Sequence, residues 1–455
     1  MKKTCKKLFG TDGIRGAFGQ WPLTRPLVES AGMAAGRWLK KRFPRQRPAV
    51  VIGKDTRASG TTIERWLRRG LAAEGVDVYS AGVVPTPGLA YLAHTAAVQL
   101  GIMISASHNP ADDNGIKFFK HNGYKLHDRE EERLERLIAA AEHDQRRRKT
   151  AAIPPSRRMS TAGYLEHLAA SAGGVSLAGR KIVVDCAQGA VCGYAVRLFE
   201  KLGAAVVALA AAPDGKNINH GCGSLYPEMM AETVKRQRAD MGFSFDGDGD
   251  RVIVCDERGV VRDGDYMMAA IARYLLAENR LPSRAVVGTS MSNFGLEKAL
   301  AELGVSLVRA DVGDKYVLQE MFAHKTNFGG EQSGHIIFLD YATTGDGMLT
   351  AVQLARMAAR SGKPLSRLMR GLKKYPQLLV NVRVRDKRPF AEIPAVNRAV
   401  EQAQRQLAGN GRLVLRYSGT EPLARVMVEG GKKTEITALA RKIAAVIERE
   451  LGAGA

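Results

Sequence analysis

Three times along the chain a short apolar run gives way to a polar loop, a glycine and a stretch with helical spacing. Val50-Val51-Ile52 leads to Gly60, Ile182-Val183-Val184 to Gly193, and Ala285-Val286-Val287 to Gly295. Helical stretches are predicted around residues 62–73, 194–202 and 296–303. Each meets a glycine and a new apolar run: Gly75-Val76, Gly203-Ala204 and Gly304-Val305. Glycine just past a helix is the ordinary stop signal, and strand, helix, strand at this spacing is a crossover unit. The pattern predicts three related α/β domains with mostly parallel mixed sheets. The tail differs: strands are expected at 378–384, 413–417 and 426–429, and helices at 391–407 and 433–451, a small α+β domain. The expected limits are 1–155, 156–256, 257–370 and 371–455. The basic, proline-containing segment 146–158 marks the first, Gly371-Leu372-Lys373-Lys374 lies near the last, and the second, near Cys255 to Gly259, carries no evident linker.

Composition narrows the classes. The chain has 455 residues, 45% hydrophobic and 25% charged, which excludes global disorder. The longest apolar run, 204–212, is too short to cross a membrane. Lys2, Lys3, Lys6 and Lys7 mimic the start of a signal peptide, but Gly10-Thr11-Asp12-Gly13 replaces the apolar stretch that would follow. Five scattered cysteines (Cys5, Cys186, Cys192, Cys222, Cys255) suit a reducing cytosol, and no CxxC pair points to zinc. The net charge of +22 invites a nucleic-acid reading. Its clusters, Lys2 to Lys7, Arg37 to Arg47 and Arg146 to Lys149, lack interleaved aromatics and any recognised nucleic-acid motif. Solvated faces and loop charges are the better reading of this charge, with steering of an anionic small substrate as a second use.

Four loops carry candidate chemistry. Ser105-Ala106-Ser107-His108-Asn109-Pro110 follows an apolar strand at 100–104. It offers a serine nucleophile with His108 beside it, or an ordinary turn; G-x-S-x-G is absent. Asp113-Asn114-Gly115-Ile116-Lys117 brings a lysine back to the same strand end. Asp246-Gly247-Asp248-Gly249-Asp250-Arg251 sets three carboxylates at alternate positions, a donor set for a small hard cation. A calcium EF-hand is rejected, because its sixth position is Arg251 and the flanks 243–245 and 252–254 read as strands. Gly329-Gly330-Glu331-Gln332-Ser333-Gly334-His335 offers partners for sugar hydroxyls, or a plain turn. Arg416-Tyr417-Ser418-Gly419-Thr420-Glu421-Pro422 offers a phosphate clamp, with Arg425 near it.

Taken together, these segments resemble the α-D-phosphohexomutase superfamily, from Phe9-Gly10-Thr11-Asp12-Gly13-Ile14-Arg15-Gly16 to Val426-Met427-Val428-Glu429-Gly430. Residues 213–219, 312–316 and 343–347 are similar to its bacterial glucosamine branch. The resemblance implies four domains around a central cleft. It implies that Ser107 is carried as phosphoserine and that Asp246, Asp248 and Asp250 hold Mg²⁺ together with it. Glu331 and Ser333 would select sugar hydroxyls. Arg416, Ser418, Gly419 and Thr420, with Arg425, would grip the non-reacting phosphate. Arg15, His108, Lys117, Arg251 and His335 would support the transferring group; whether Lys117 or His108 moves the hydroxyl proton stays open. The implied reaction interconverts glucosamine 6-phosphate and glucosamine 1-phosphate through a 1,6-bisphosphate, which also activates the enzyme, and feeds UDP-N-acetylglucosamine and cell-wall precursor synthesis. The fourth domain is expected to move. A cytoplasmic enzyme with a phosphosugar as its partner, no specific nucleic acid and no membrane insertion is expected; a homodimer is left open. Mutases for glucose or mannose phosphates are the alternative within the superfamily, and a basic nucleic-acid-binding protein the alternative outside it. Gln332 stands where many glucose and mannose relatives have methionine, and Tyr417 where the branch usually has proline.

Overall fold

The computed structural model describes residues 8–10, 12–145, 153, 155–418 and 422–452. Gly419, Thr420, Thr11, Cys5 and the basic clusters at 2–7 and 146–149 lie outside them. All three predicted repeats form. Ala49–Lys54, the helix Gly60–Ala73 and Asp77–Val83 make the first; Lys181–Asp185, Ala195–Lys201 and Ala205–Leu209 the second; Ala285–Thr289, Phe294–Ala301 and Ser306–Ala310 the third. In each, the two strands are parallel neighbours.

Each parallel unit is extended by antiparallel strands. The first sheet runs Phe9–Gly10, Gly13–Ala17, Asp113–Lys120, Leu100–Ile104, Ala49–Lys54, Asp77–Val83, Arg157–Arg158. The second runs Val261–Arg262, Val252–Asp256, Met241–Phe245, Lys181–Asp185, Ala205–Leu209, and the third Ser306–Ala310, Ala285–Thr289, Phe328–Gly330, Ile336–Phe338. Two short strands sit just past the expected domain limits at 155 and 256. Arg157–Arg158 pairs with Asp77–Val83, and Val261–Arg262 closes a hairpin whose turn is fixed by Asp256, Oδ1 of which accepts from the N–H groups of Arg258 and Val260 at 3.1 Å each.

One apolar core runs through all three α/β units, from Val51 and Leu89 through Phe199 and Phe243 to Val286 and Leu354. The fourth unit keeps a core of its own. There Gln377–Arg383, Leu423–Gly430 and Gly411–Tyr417 form an antiparallel sheet. The helix Lys433–Leu451 buries Ile436, Leu439, Ala440, Ile443, Ile447 and Leu451, a stripe of helical spacing. Burying one such isoleucine stabilises by roughly 1.5–3 kcal/mol.

The link from this unit to the third is polar. Arg412 donates to Ser290 O at 2.9 Å and Ser292 O at 2.7 Å. Its partner Glu429, fully buried, accepts from Asn293 Nδ2 at 3.1 Å and the Phe294 N–H at 3.2 Å.

Candidate active site

All four candidate loops join antiparallel neighbours. The serine loop joins Leu100–Ile104 to Asp113–Lys120, the aspartate loop Met241–Phe245 to Val252–Asp256, the Glu331 loop Phe328–Gly330 to Ile336–Phe338, and the Arg416 loop Gly411–Tyr417 to Leu423–Gly430. In the three α/β units the first strand of each pair is also parallel to its other neighbour. The loop therefore stands where the sheet switches from parallel to antiparallel.

Ser107 is fully buried, with a left-handed backbone at φ 54°. Its Oγ donates to Asp246 Oδ2 at 2.6 Å and lies 3.3 Å from His108 Nδ1. Below it, the Ser107 N–H donates to Ser105 Oγ at 2.9 Å, and that hydroxyl donates to Asp55 Oδ2 at 2.6 Å. The glycines of the aspartate loop are required by close approach. A Cβ on Gly247 would stand 2.6 Å from Ser107 O, and one on Gly249, at φ 71°, would stand 2.5 Å from Val191.

Asp246, Asp248 and Asp250 are buried, with one oxygen of each within 4.8 Å of the others. Asp248 Oδ2 accepts from Thr86 Oγ1 at 2.5 Å and Lys117 Nζ at 2.8 Å, whereas Asp248 Oδ1 and Asp250 Oδ1 have no hydrogen-bond donor. Orphaned buried carboxylate oxygens are costly; a hard divalent cation is the partner such a donor set fits. Burial and repulsion from Asp250 and Asp248 push the Asp246 carboxyl well up. Burial would raise Asp250 too, but Lys117, His335 and Arg251 hold it low.

Lys117 is almost completely buried, 2.8 Å from both Asp12 Oδ2 and Asp248 Oδ2. Burial alone would lower its pKa; Asp12, Asp248 and Asp250 hold it above the ordinary lysine value. Burial and the cations Arg251 and Arg15 lower His108 to about 4. Arg251 Nη1 lies 3.1 Å from His108 Nδ1. Since a guanidinium only donates, this nitrogen is the acceptor and the neutral ring keeps its proton on Nε2. The Gly345 N–H likewise donates to His335 Nε2 at 3.0 Å, leaving the proton on Nδ1, which faces Asp250 Oδ1 at 3.7 Å.

Arg15, His108, Asp250, Arg251, Glu331 and His335 line a cavity of about 600 Å³; Ser107, Lys117, Asp246 and Asp248 lie buried behind its wall. Glu331 Oε1 accepts from the Gly313 N–H at 3.1 Å, and burial raises its carboxyl. Ser333 is exposed and off that wall. Gln332 donates its amide to Asp263 Oδ2 at 3.2 Å and does not line the cavity. Among the described residues of the fourth unit, Arg416, Ser418 and Arg425 do not line the cavity. Arg416 and Arg425 are register partners on adjacent strands. Tyr417 stacks on Phe390 at 4.1 Å and donates to Arg388 O at 2.6 Å, a ring-based anchor at the proline position.

Sequence reasoning left several partners unassigned. Asp12 joins Arg15, Lys117 and Lys125, and Lys125 also pairs with Asp314. Burial would raise Asp12, but Lys117, Lys125 and Arg15 hold it well below the usual carboxylate range. Lys54-Asp55-Thr56-Arg57, a charged cluster directly after an apolar strand, was the available signal for the floor of the serine loop.

Sequence models of the phosphoglucomutase/phosphomannomutase family match in order: α/β/α domain I at residues 6–145, domain II at 162–259, domain III at 263–375 and the C-terminal domain at 379–446. The chain is 47% identical to a phosphoglucosamine mutase of Syntrophotalea carbinolica, over 98% of each chain. It is 48% identical to one of Geobacillus kaustophilus, over 98% of this chain and 99% of that one. Among solved structures, it is similar to a phosphoglucomutase/phosphomannomutase family protein of Burkholderia thailandensis (TM-score 0.79, 25% identity, 96% of this chain and 97% of that one). It also shares the fold of an Aspergillus fumigatus N-acetylphosphoglucosamine mutase solved with GlcNAc-6P and magnesium (TM-score 0.64, 18% identity, 97% and 95%). No helix among the described residues is long and apolar enough to cross a membrane.

Proposed function

Because the chain belongs to the phosphoglucomutase/phosphomannomutase family, with all four of its domains in order, we propose that it interconverts glucosamine 6-phosphate and glucosamine 1-phosphate in the cytoplasm. Near-half identity to phosphoglucosamine mutases over essentially the whole chain supports the substrate. The observation that carries the chemistry is the 2.6 Å contact between Ser107 Oγ and Asp246, beside the orphaned oxygens of Asp248 and Asp250.

Ser107 carries the phosphoryl group. The Oγ–P bond breaks as a bond from phosphorus to the free sugar hydroxyl forms, and the hydroxyl proton leaves to a base. The resulting 1,6-bisphosphate reorients and returns its other phosphate to Ser107; glucosamine 1,6-bisphosphate from outside activates the unphosphorylated enzyme. Asp246, Asp248, Asp250 and the serine phosphate would hold Mg²⁺, which would supply charge neutralisation to a loose, anionic transition state. Arg15, Arg251 and His335 add fixed positive charge or donors at the same point.

Lys117 and His108 divide the remaining work by protonation state. Lys117, locked between carboxylates, stays charged and acts as an electrostatic anchor. His108, whose neutral ring lies 3.3 Å from Ser107 Oγ, is the group placed to take the proton that Oγ gives up when the bisphosphate returns its phosphate to the serine. Glu331, on the cavity wall, would contact the bound sugar, whereas Ser333 stands off that wall and would reach a sugar hydroxyl only after its loop moves inward. The distal phosphate falls to Arg416, Ser418, Gly419, Thr420 and Arg425, so the fourth unit must swing toward the cavity it does not now line.

The test is a panel of glucosamine, glucose and mannose monophosphates at equal Mg²⁺, each with its matching bisphosphate. The highest kcat/KM is expected for glucosamine phosphate, with residual turnover of glucose phosphate because the phosphate grip is shared. A better rate on glucose or mannose phosphate would overturn the sugar assignment. No turnover of any of them, with steeply salt-dependent binding to duplex nucleic acid, would overturn the mutase reading.

A further inference from the structure

The reacting Ser107, at φ 54°, stands with three more non-glycine residues of left-handed backbone: Ala187 at 54°, Gln188 at 52° and Asn219 at 59°. They come from three loops, and hydrogen bonds tie the loops together. The Asn219 N–H donates to Ala187 O at 2.9 Å, Thr56 Oγ1 donates to Gln188 O at 2.6 Å, and the Ala190 N–H donates to Gly247 O at 2.8 Å. Asn219 Nδ2 donates to Ser107 O at 2.9 Å and to Asn109 O at 3.0 Å. Arg57 Nη2 donates to the same two carbonyls, at 3.0 and 2.7 Å. Left-handed non-glycine residues persist only where their surroundings over-determine them, and they gather at functional sites.

We propose that Asn219 is a positioning residue for phosphoryl transfer: its side-chain amide, by holding the carbonyls of Ser107 and Asn109, locks Ser107 in the conformation that aims Oγ at the aspartate cluster. The two donors on these carbonyls differ in origin. Arg57 is buried in the first unit and also holds Asp55, Pro110 O and Asp113 O, so it sets the loop within its own unit. Asn219 reaches across from the second unit, which also carries Asp246, Asp248 and Asp250. A Cβ on Gly247 would stand 2.9 Å from Asn219 Nδ2, so the amide is wedged between the serine loop and the aspartate loop. It therefore couples the nucleophile to the metal-binding loop directly. Without it only Arg57, from within the first unit, holds the Ser107 and Asn109 carbonyls, so the serine loop loses its tie to the second unit and Oγ is held less firmly against Asp246.

The inference rests on Ser107 as the phosphoryl carrier, and three variants separate the two. Glycine tolerates the left-handed backbone at 219, so N219G removes the amide and spares the main chain. N219D keeps the shape but sets a carboxylate oxygen against carbonyl oxygens. A neutral hydrogen bond is worth about a fivefold effect, so losing two lowers kcat about 25-fold in N219G, and at least as far in N219D. KM for glucosamine phosphate should stay within about twofold, since no sugar contact changes. Phosphorylation of Ser107 by glucose 1,6-bisphosphate, followed by intact mass, should slow by the same factor as kcat. A structural role alone would lower the melting temperature and leave both rates intact at 25 °C. If N219G and N219D keep wild-type kcat while S107A is inactive, Asn219 positions nothing and the phosphoserine reading stands. A raised KM with unchanged kcat would overturn the inference by moving Asn219 to the substrate. Full activity in S107A would remove both.

Discussion

Replacing Asp248 by asparagine separates a cation-binding role for the aspartate loop from a structural one. Asp248 Oδ2 takes two donors, Thr86 Oγ1 and the Lys117 ammonium, and Oδ1 takes none. An ammonium only donates, so the asparagine oxygen must occupy the Oδ2 place. Its NH₂ then fills the place of the orphaned Oδ1 and turns two hydrogens toward any cation. The fold loses attraction to the Lys117 ammonium at 2.8 Å, about 6 kcal/mol at an effective dielectric of about 20. It gains relief of repulsion from Asp246 and Asp250, about 3 kcal/mol for each pair about 5 Å apart at the same dielectric. The two nearly cancel, and Lys117 keeps Asp12, so the melting temperature without metal should move by only a few degrees. Saturating Mg²⁺ behaves differently. At about a hundred times its Kd it should stabilise the wild type by about 2.7 kcal/mol and D248N hardly at all. The rate loss should be about 10³-fold, the scale of removing one main electrostatic group. Differential scanning fluorimetry with and without Mg²⁺, beside a mutase assay with bisphosphate supplied, reads both. An Mg²⁺-induced rise in D248N equal to the wild type, or a collapsed metal-free melting temperature with activity retained, would refute the reasoning.

Ser107→Ala should abolish turnover while the melting temperature stays near the wild-type value, because only a loop hydroxyl is lost; activity with bisphosphate present would contradict it. Arg416→Ala should weaken binding of both glucosamine monophosphates about tenfold or more, since a charge-assisted hydrogen bond is worth roughly 1.5–3 kcal/mol and the distal site meets a phosphate in either substrate orientation. Calorimetric titration showing unchanged affinity for both would place that phosphate elsewhere. The His108 imidazole should titrate near pH 4 by NMR, lowered by burial, Arg251 and Arg15. Its folded pKa lies below its unfolded value of 6.5, so the unfolded chain binds a proton that the folded ring refuses. Stability from this group is thus present above pH 6.5 and is lost as pH falls toward 4. A midpoint at or above pH 6 would contradict the cation pocket around it.

The repeats were legible because strand and helix periods and glycine stops are local properties of the chain. The tail helix at 433–451 was legible for the same reason. The aspartate loop could be read because three carboxylates at alternate positions leave few alternatives to a cation. Gln332 could not be placed, because its direction depends on Asp263, 69 residues away in sequence. Lys117 against His108 could not be resolved from the residue types. The choice turns on which charges stand within a few ångströms of each, and those come from Asp12, Asp248 and Arg251 on other segments. Asn219 lies in the segment 213–219 that resembles the family, but its contact with Ser107 spans 112 positions.

By itself the sequence determined the three crossover units, the separate α+β tail, the four chemistry-bearing loops and the family resemblance that joins them. Each of these depends on neighbours within one element or one turn. Tertiary structure decided that every loop caps a pair of antiparallel strands, that one core fuses three units while the fourth keeps its own core and meets the third through polar contacts, and that Ser107 is strained onto Asp246. Those outcomes depend on burial and charge, which sum over groups that meet only when distant segments pack. A carboxylate's neighbours across a domain boundary set its protonation, and no window of sequence contains them.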